Sequence, residues 1–242
     1  MTAEPADLRA GPVPRHVGII MDGNGRWARQ RGRPASFGHR AGARIVKTVM
    51  GGCEEIGVEV LSIYAFSTEN WTRPRREVGF LMRLFHETLD REFAEIQQRN
   101  IRVVFSGRRD ELDPRMRKRM QDAEEKTKDN SAGVLNVCLN YGGRAEVVDA
   151  VKAATTAGDQ LDEASIARHL YQAWLPEPDL IIRTAGEKRM SNFLLWQAAY
   201  AELYVTERLW PDFTVDDLKE AVADYQGRVR RFGGRPESEV GG

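Results

Sequence analysis

The sequence has little cysteine, no net charge and no long apolar run. Its only cysteines, Cys53 and Cys138, sit in apolar segments without metal-ligand spacing. That excludes a disulfide scaffold and a thiolate zinc site, and suits reduced core residues of a cytoplasmic protein. Lys plus Arg and Asp plus Glu both number 36, so the formal net charge is zero. A general nucleic-acid binder is usually basic, so no nucleic-acid partner is expected, and an anion site must come from local clustering of arginine. No window approaches the ~18 apolar residues of a membrane span. Residues 1–14 carry proline and charge but no apolar signal core, and read as a loose tail; residues 235–242 read the same way.

What is present, 41% hydrophobic and 30% charged residues, suits a globular chain rather than a disordered one. Short apolar runs alternate with longer periodic ones. His16–Met21, Val58–Phe66, Ile101–Phe105, Val134–Leu139, Asp179–Ile182 and Leu203–Thr206 read as strands. Helical spacing runs over Ala41–Ile56, with Gly57 as the stop, and over Val78–Ile96. It recurs over Pro114–Lys128, around Val147–Ala154, through Ile166, Leu170 and Trp174, and over Val215–Val229. Strand–helix alternation with continuous apolar strands predicts an α/β fold. The expected form is one domain over residues 15–234, a mostly parallel sheet flanked by helices.

In such sheets ligands bind beyond the carboxyl ends of the strands, where this chain's unusual residues collect. Asp22-Gly23-Asn24-Gly25-Arg26-Trp27 follows the first strand. Its two glycines let backbone amides approach phosphate, Arg26 offers a bidentate fork, and Asp22 suits Mg²⁺. Read blandly, it is a tight turn with Asp22 as a helix cap. The spacing Gly23-x-Gly25-x-x-Ala28 also fits a dinucleotide fingerprint. That motif wants an acidic residue about 20 positions on, and the nearest beyond the second strand, Glu69, is more than twice as far away. Arg183, Arg189 and Ser191 form a second anion-binding set after the fifth strand, against the bland alternative of a solvated basic loop. His39 alone reads as a cap or surface residue. Trp27 and Trp71 read as core or as the border of a greasy substrate.

Five blocks then carry a resemblance: Asp22–Ala28, Phe37–Gly42, Tyr64–Trp71, Asn140–Arg144 and Asp179–Phe213. Together they resemble the cis-prenyltransferase family, above all bacterial undecaprenyl or decaprenyl diphosphate synthases, over residues 15–234. The resemblance implies a central six-stranded mostly parallel sheet with an apolar tunnel, a Mg²⁺ cofactor and a homodimer. The implied substrates are isopentenyl diphosphate and an allylic diphosphate, with peripheral membrane contact for product release. Asp22 would be the metal-linked catalytic carboxylate, and Gly23, Asn24, Gly25, Arg26 and His39 would cradle the allylic diphosphate. Asn70 would accept the proton, with Ser67, Thr68 and Glu69 beside it. Trp27, Trp71 and Arg73 would contact substrate. Arg183, Arg189, Met190 and Ser191 would hold isopentenyl diphosphate. Glu202, from the neighbouring subunit, would help bind Mg²⁺, and Arg231-Phe232-Gly233 would reach across the dimer. The chain departs from the family pattern at Ala35, where arginine is usual and Arg33 lies two residues earlier, and at Ala185, where serine is usual. A short-chain synthase and a non-catalytic partner subunit are the alternatives. A trans-type prenyltransferase would need two aspartate-rich motifs, and this chain has only Asp216-Asp217.

Overall fold

The computed structural model describes residues 8–228. The six strands are β1 (His16–Ile20), β2 (Val60–Ser67), β3 (Ile101–Ser106), β4 (Gly133–Tyr141), β5 (Leu180–Arg183) and β6 (Glu202–Val205). They form one sheet in the order β3-β4-β2-β1-β5-β6, and every pair is parallel. The expected "mostly parallel" sheet is therefore wholly parallel among the described residues. The cause is connectivity: consecutive strands are joined by helical crossovers or, between β5 and β6, by a long irregular segment. No hairpin turns the chain back.

The helices are α1 (Asn24–Gln30), α2 (Ala35–Ile56), α3 (Arg75–Gln98), α4 (Pro114–Thr127), α5 (Gly143–Ala157), α6 (Glu163–Arg168) and α7 (Val215–Gln226). α2 starts six residues before the expected Ala41. Two glycines near the start of the helix bear on this. Gly38 and Gly42 share a face on which α1 lies so close that a Cβ at Gly38 would stand 1.9 Å from the Asn24 carbonyl oxygen. These glycines hid the apolar period yet are what lets the two helices touch. Gly57 ends α2 in a left-handed conformation, its amide donating to the Cys53 carbonyl at 2.9 Å.

Two other expectations need correcting. The helix expected through Leu170 and Trp174 stops at Arg168, because the Tyr171 amide is spent on the buried Glu146 carboxylate at 2.9 Å. Trp174 lies outside, under the Arg102 guanidinium. The stretch from Leu8 to Pro14 is docked rather than loose: Leu8 and Val13 pack on the core and Gln226 donates to the Leu8 carbonyl at 2.7 Å. Val229, Arg231-Phe232-Gly233 and residues 235–242 lie outside the described residues.

The sheet buries two different faces. On one, Val17, Ile19, Ile63, Val103, Phe105, Leu135 and Leu139 meet apolar residues of α2, α3, α4 and α7. On the other, a smaller cluster of Ile20, Cys138, Tyr141, Ile181, Phe193 and Leu194 is mixed with buried polar groups. Both cysteines are free and buried. No helix among the described residues is long and apolar enough to cross a membrane.

Candidate active site

Asp22 leaves the end of β1 and is fixed from several sides. Thr184, beyond β5, accepts from the Asp22 amide at 2.8 Å and donates to its carbonyl at 2.7 Å, and the Trp210 amide reaches the same carbonyl at 3.0 Å. The carboxylate accepts from the Gly23 amide at 2.7 Å and from Nη2 of Arg183 at 3.0 Å. Gly23 adopts φ 99°, and a side chain there would strike Leu209 and Ala185. The side chain of Asp22 is 32% exposed while that of Arg183 is 3% exposed. A carboxylate thus faces an opening, backed by a buried guanidinium.

Arg183 joins the two anion-binding sets. Its Nη1 donates to the Ser191 hydroxyl at 2.6 Å and to the Arg189 carbonyl, while its buried Nε has no partner. Ser191 and Asn192 both hold positive φ, at 48° and 66°, so this loop is a strained turn held in place by its neighbours. Tyr64 donates to the Ser191 carbonyl at 3.2 Å, and Asn192 donates to Glu69 at 2.7 Å and accepts from the Arg144 amide at 2.9 Å. Burial opposes ionisation of Glu69, but donors from its own amide, Asn192, Ser67 and Thr68 outweigh it and hold the carboxyl below its usual range. Glu187 sits between the sets, 2.5 Å from Arg189 and 3.4 Å from Arg26.

A cavity of about 440 Å³ opens beside this junction. At its polar end stand Asp22, Asn24, His39, Ser67, Asn70, Arg73, Arg183, Arg189 and Ser191. Asn70 accepts from the Ser67 amide at 3.1 Å. Burial and then the Arg73 charge lower the His39 pKa, against a weaker opposing effect of Glu77. Behind these groups the cavity passes between α2, α3 and one face of the sheet. Its wall there is apolar, including Met50, Ile63, Leu81, Leu84, Phe85, Leu89, Val103 and Phe105.

Several expected site residues do not line this cavity. Gly23 and Gly25 shape the turn instead, and Arg26 meets Glu187 beside Arg189. Trp27 turns outward, stacking on Phe37 at 5.7 Å and donating to Asp212 at 2.6 Å. Arg33 lies over the same Phe37 ring. Trp71 packs edge-on against Phe66 and donates to Asn140 at 2.7 Å. Thr68 and Glu69 brace the Asn192 loop, and the Met190 carbonyl accepts from Phe193. Glu202 begins β6 at the opposite end of the sheet, pairing with Arg228 at 2.7 Å, so one chain does not bring it to Asp22. Thr184, Trp210, Tyr64 and Glu187 are the contributors that sequence reasoning missed. Thr184 had a signal, since it directly follows the arginine that ends a strand.

Comparison with known proteins identifies the family. The Prenyltransf family model, described as "Putative undecaprenyl diphosphate synthase", covers residues 20–233. An isoprenyl transferase of Clostridium perfringens is 48% identical over 92% of this chain and 90% of its own length. A ditrans,polycis-undecaprenyl-diphosphate synthase of Xanthomonas axonopodis pv. citri, described as (2E,6E)-farnesyl-diphosphate specific, is 50% identical over 91% of this chain and 89% of its own. The crystal structure of lavandulyl diphosphate synthase from Lavandula x intermedia, in complex with dimethylallyl diphosphate, superposes with a TM-score of 0.87 at 35% identity. It covers 91% of this chain and 98% of that one. With the family model spanning nearly the whole fold, and an Asp–Arg–Ser junction set over an apolar cavity, the chain belongs to the undecaprenyl diphosphate synthase family of cis-prenyltransferases.

Proposed function

We propose that this chain condenses isopentenyl diphosphate with an allylic diphosphate, such as farnesyl or geranyl diphosphate, to give a Z-polyprenyl diphosphate. The product class favoured is the undecaprenyl or decaprenyl carrier of cell-wall synthesis. The observation that carries this reading is a polar anion-binding junction opening directly into an apolar cavity. A diphosphate needs the first and a growing hydrocarbon needs the second, which makes the cavity the candidate tunnel.

The allylic C–O bond breaks and its electron pair leaves with the diphosphate. The isopentenyl double bond attacks the resulting carbon centre, and the new cation loses a proton to form the cis double bond. On this reading Asn24 and His39, which line the cavity, and the adjoining turn of Gly23, Gly25 and Arg26 hold the starter diphosphate. Arg183, Arg189 and Ser191 hold isopentenyl diphosphate. Fixing both in line supplies much of the acceleration, and cationic side chains aimed at the leaving oxygens supply more. Asn70, held by the Ser67 amide at the polar end of the cavity, would accept the released proton on this reading.

The residues present fit Mg²⁺. Asp22 offers a hard, half-exposed oxygen donor at the cavity mouth. Among the described residues no group of three His, Cys, Asp or Glu side chains could cage a metal alone. Mg²⁺ is commonly held by one or two carboxylates together with substrate phosphates, which is the arrangement Asp22 allows. When bound, the ion supplies Lewis-acid stabilisation of the leaving diphosphate.

The protein works as a homodimer in the cytoplasm on this reading. β6 is an edge strand, and Glu202 would serve the neighbouring subunit's metal site. The apolar product would draw the enzyme to the membrane surface for release. Incubation of the purified protein with labelled isopentenyl diphosphate, Mg²⁺ and each of geranyl, farnesyl and geranylgeranyl diphosphate tests the reading. Long Z-polyprenyl products are expected. A single condensation would indicate a short-chain synthase, and no product from any starter would indicate a non-catalytic partner subunit.

A further inference from the structure

On the reading that the chain elongates a prenyl diphosphate, something must end the elongation. α3 leaves the loop that carries Asn70 and finishes just before β3 begins, so its last turns lie at the end of the sheet remote from Asp22. Leu81, Leu84, Phe85 and Leu89 give the cavity an apolar wall along the first part of that path. Further on the lining changes character. Thr88, Glu92 and Glu95 of α3 and Lys47 of α2 enter it, about 22 Å of helix separating Leu81 from the end of this stretch at Ile96. The Thr88 hydroxyl is buried with no partner. Glu95 pairs with Lys47 across the seam between the helices, and Arg99 ties Glu95 to Glu54 of α2 at 3.0 and 3.3 Å. The side chains of Lys47 and Glu95 are 46% and 28% exposed, so the pair stands between the cavity and solvent.

We propose that the Lys47–Glu95 ion pair, backed by Arg99 and Glu54, is the stop that sets the maximum product length. A hydrocarbon gains free energy by leaving water for an apolar wall. At this pair the gain ends, because a further isoprene unit must strip water from charged groups while offering them no hydrogen bond. The stop is electrostatic rather than a bulky floor, and it also holds α2 against α3 where the chain would otherwise slip out. An exposed ion pair contributes little to folding stability, so its charges can be removed without unfolding the protein.

The test uses the full chain, farnesyl diphosphate and labelled isopentenyl diphosphate, with products sized by chromatography beside thermal melts. In the Lys47→Leu/Glu95→Leu variant the longest product should gain at least one isoprene unit. The charge-swapped Lys47→Glu/Glu95→Lys variant should keep the parent length. If the leucine pair melts early, Lys47→Gln/Glu95→Gln, which keeps size and polarity, decides in its place and should also lengthen the product. Unchanged or shorter products in a folded charge-free variant overturn the proposal. So does a swapped variant that lengthens as much as the leucine one, since charge pairing would then be irrelevant. A parent protein that yields no polyprenyl product from any starter sinks the transferase reading itself, whereas an elongating parent with indifferent variants sinks only the ion-pair stop.

Discussion

The two faces of the sheet solve opposite problems. The face under α2 and α3 is apolar and incompletely filled, with its charges confined to the rim of the cavity. The other face carries chains of buried polar groups. His16 bonds the Pro176 carbonyl and the Ser62 hydroxyl, both at 2.7 Å. Asn136 donates to Ser62 at 3.0 Å and accepts from Ser106 at 2.9 Å. Nearby, Glu146 accepts from Tyr141, Gln197 and the Tyr171 amide, and burial raises its pKa despite these donors. Buried polar groups are costly unless satisfied, and a satisfied chain of them fixes one arrangement. The lesson is a division of labour: a rigid, specified face supports a face that can leave room for substrate.

If that division holds, the largest effect of a change at the cavity mouth falls on chemistry rather than on folding. Asp22→Ala should reduce turnover by ~10²–10³-fold, the usual consequence of losing a key electrostatic contact. Its carboxylate is partly exposed, so the melting temperature should change little. Steady-state rates and melts of the same preparation check this. A variant that keeps more than about a tenth of the parent rate contradicts the role.

The polar face makes the converse prediction, through pH. Burial pushes the His16 pKa from 6.5 to about 4, against the weaker opposing effects of Pro176 and Asp179. The folded state then binds fewer protons than the unfolded one between those values. Stability should be full above pH 6.5 and fall as the pH drops toward 4, by on the order of 3 kcal/mol for this group alone. Lowered His39 acts in the same direction. Denaturant midpoints measured from pH 7.5 to 4.5 should decline in the parent and decline less steeply in His16→Gln. Equal slopes would remove His16 from the account.

The sheet itself was legible because parallel strands buried on both faces are continuous apolar runs, as in Val17–Ile20 and Leu180–Ile182. The α3 stripe was legible too, but apolar spacing cannot tell a core from a cavity wall, since both exclude water. The motif residues around Asp22 and Arg183 were visible at strand ends. Their meeting was not, because Arg183 and Asp22 lie far apart in the chain and only the β1–β5 pairing joins them. The His16–Ser62–Asn136–Ser106 chain left no trace either, because single polar residues inside apolar strands look like noise until the strands are aligned.

A smaller effect separates the two anion-binding sets. Arg189 is 61% exposed and already shares Glu187, so removing it should cost less than removing Asp22. Arg189→Ala should raise KM for isopentenyl diphosphate on the order of tenfold, in line with the ~1.5–3 kcal/mol of a charge-assisted contact reduced by exposure. A raised KM for the allylic starter alone would show that the two sets are assigned the wrong way round.

The subtlest change tests whether the open face is open for a reason. Ala65 lies two residues before Ser67 on β2, and both line the cavity close to its polar end. The β2–β4 register shifts around this point, between Tyr64 and Ser67, which breaks the regular pairing beside the cavity. A small side chain here leaves space next to the junction where a lengthening hydrocarbon has to pass. Ala65→Leu adds several methylenes to that space, and such overpacking either displaces neighbours or fills the void. Filling the void should leave the first condensation largely intact, because Asp22, Arg183 and Ser191 are held by their own contacts, while shifting the product distribution to shorter chains. If Ala65 only packs beneath a helix, the variant should lose stability and keep the parent distribution. Product chromatography beside a melting curve separates the two, and an unshifted distribution in a stably folded variant would show that the room at this position is not used by the growing chain.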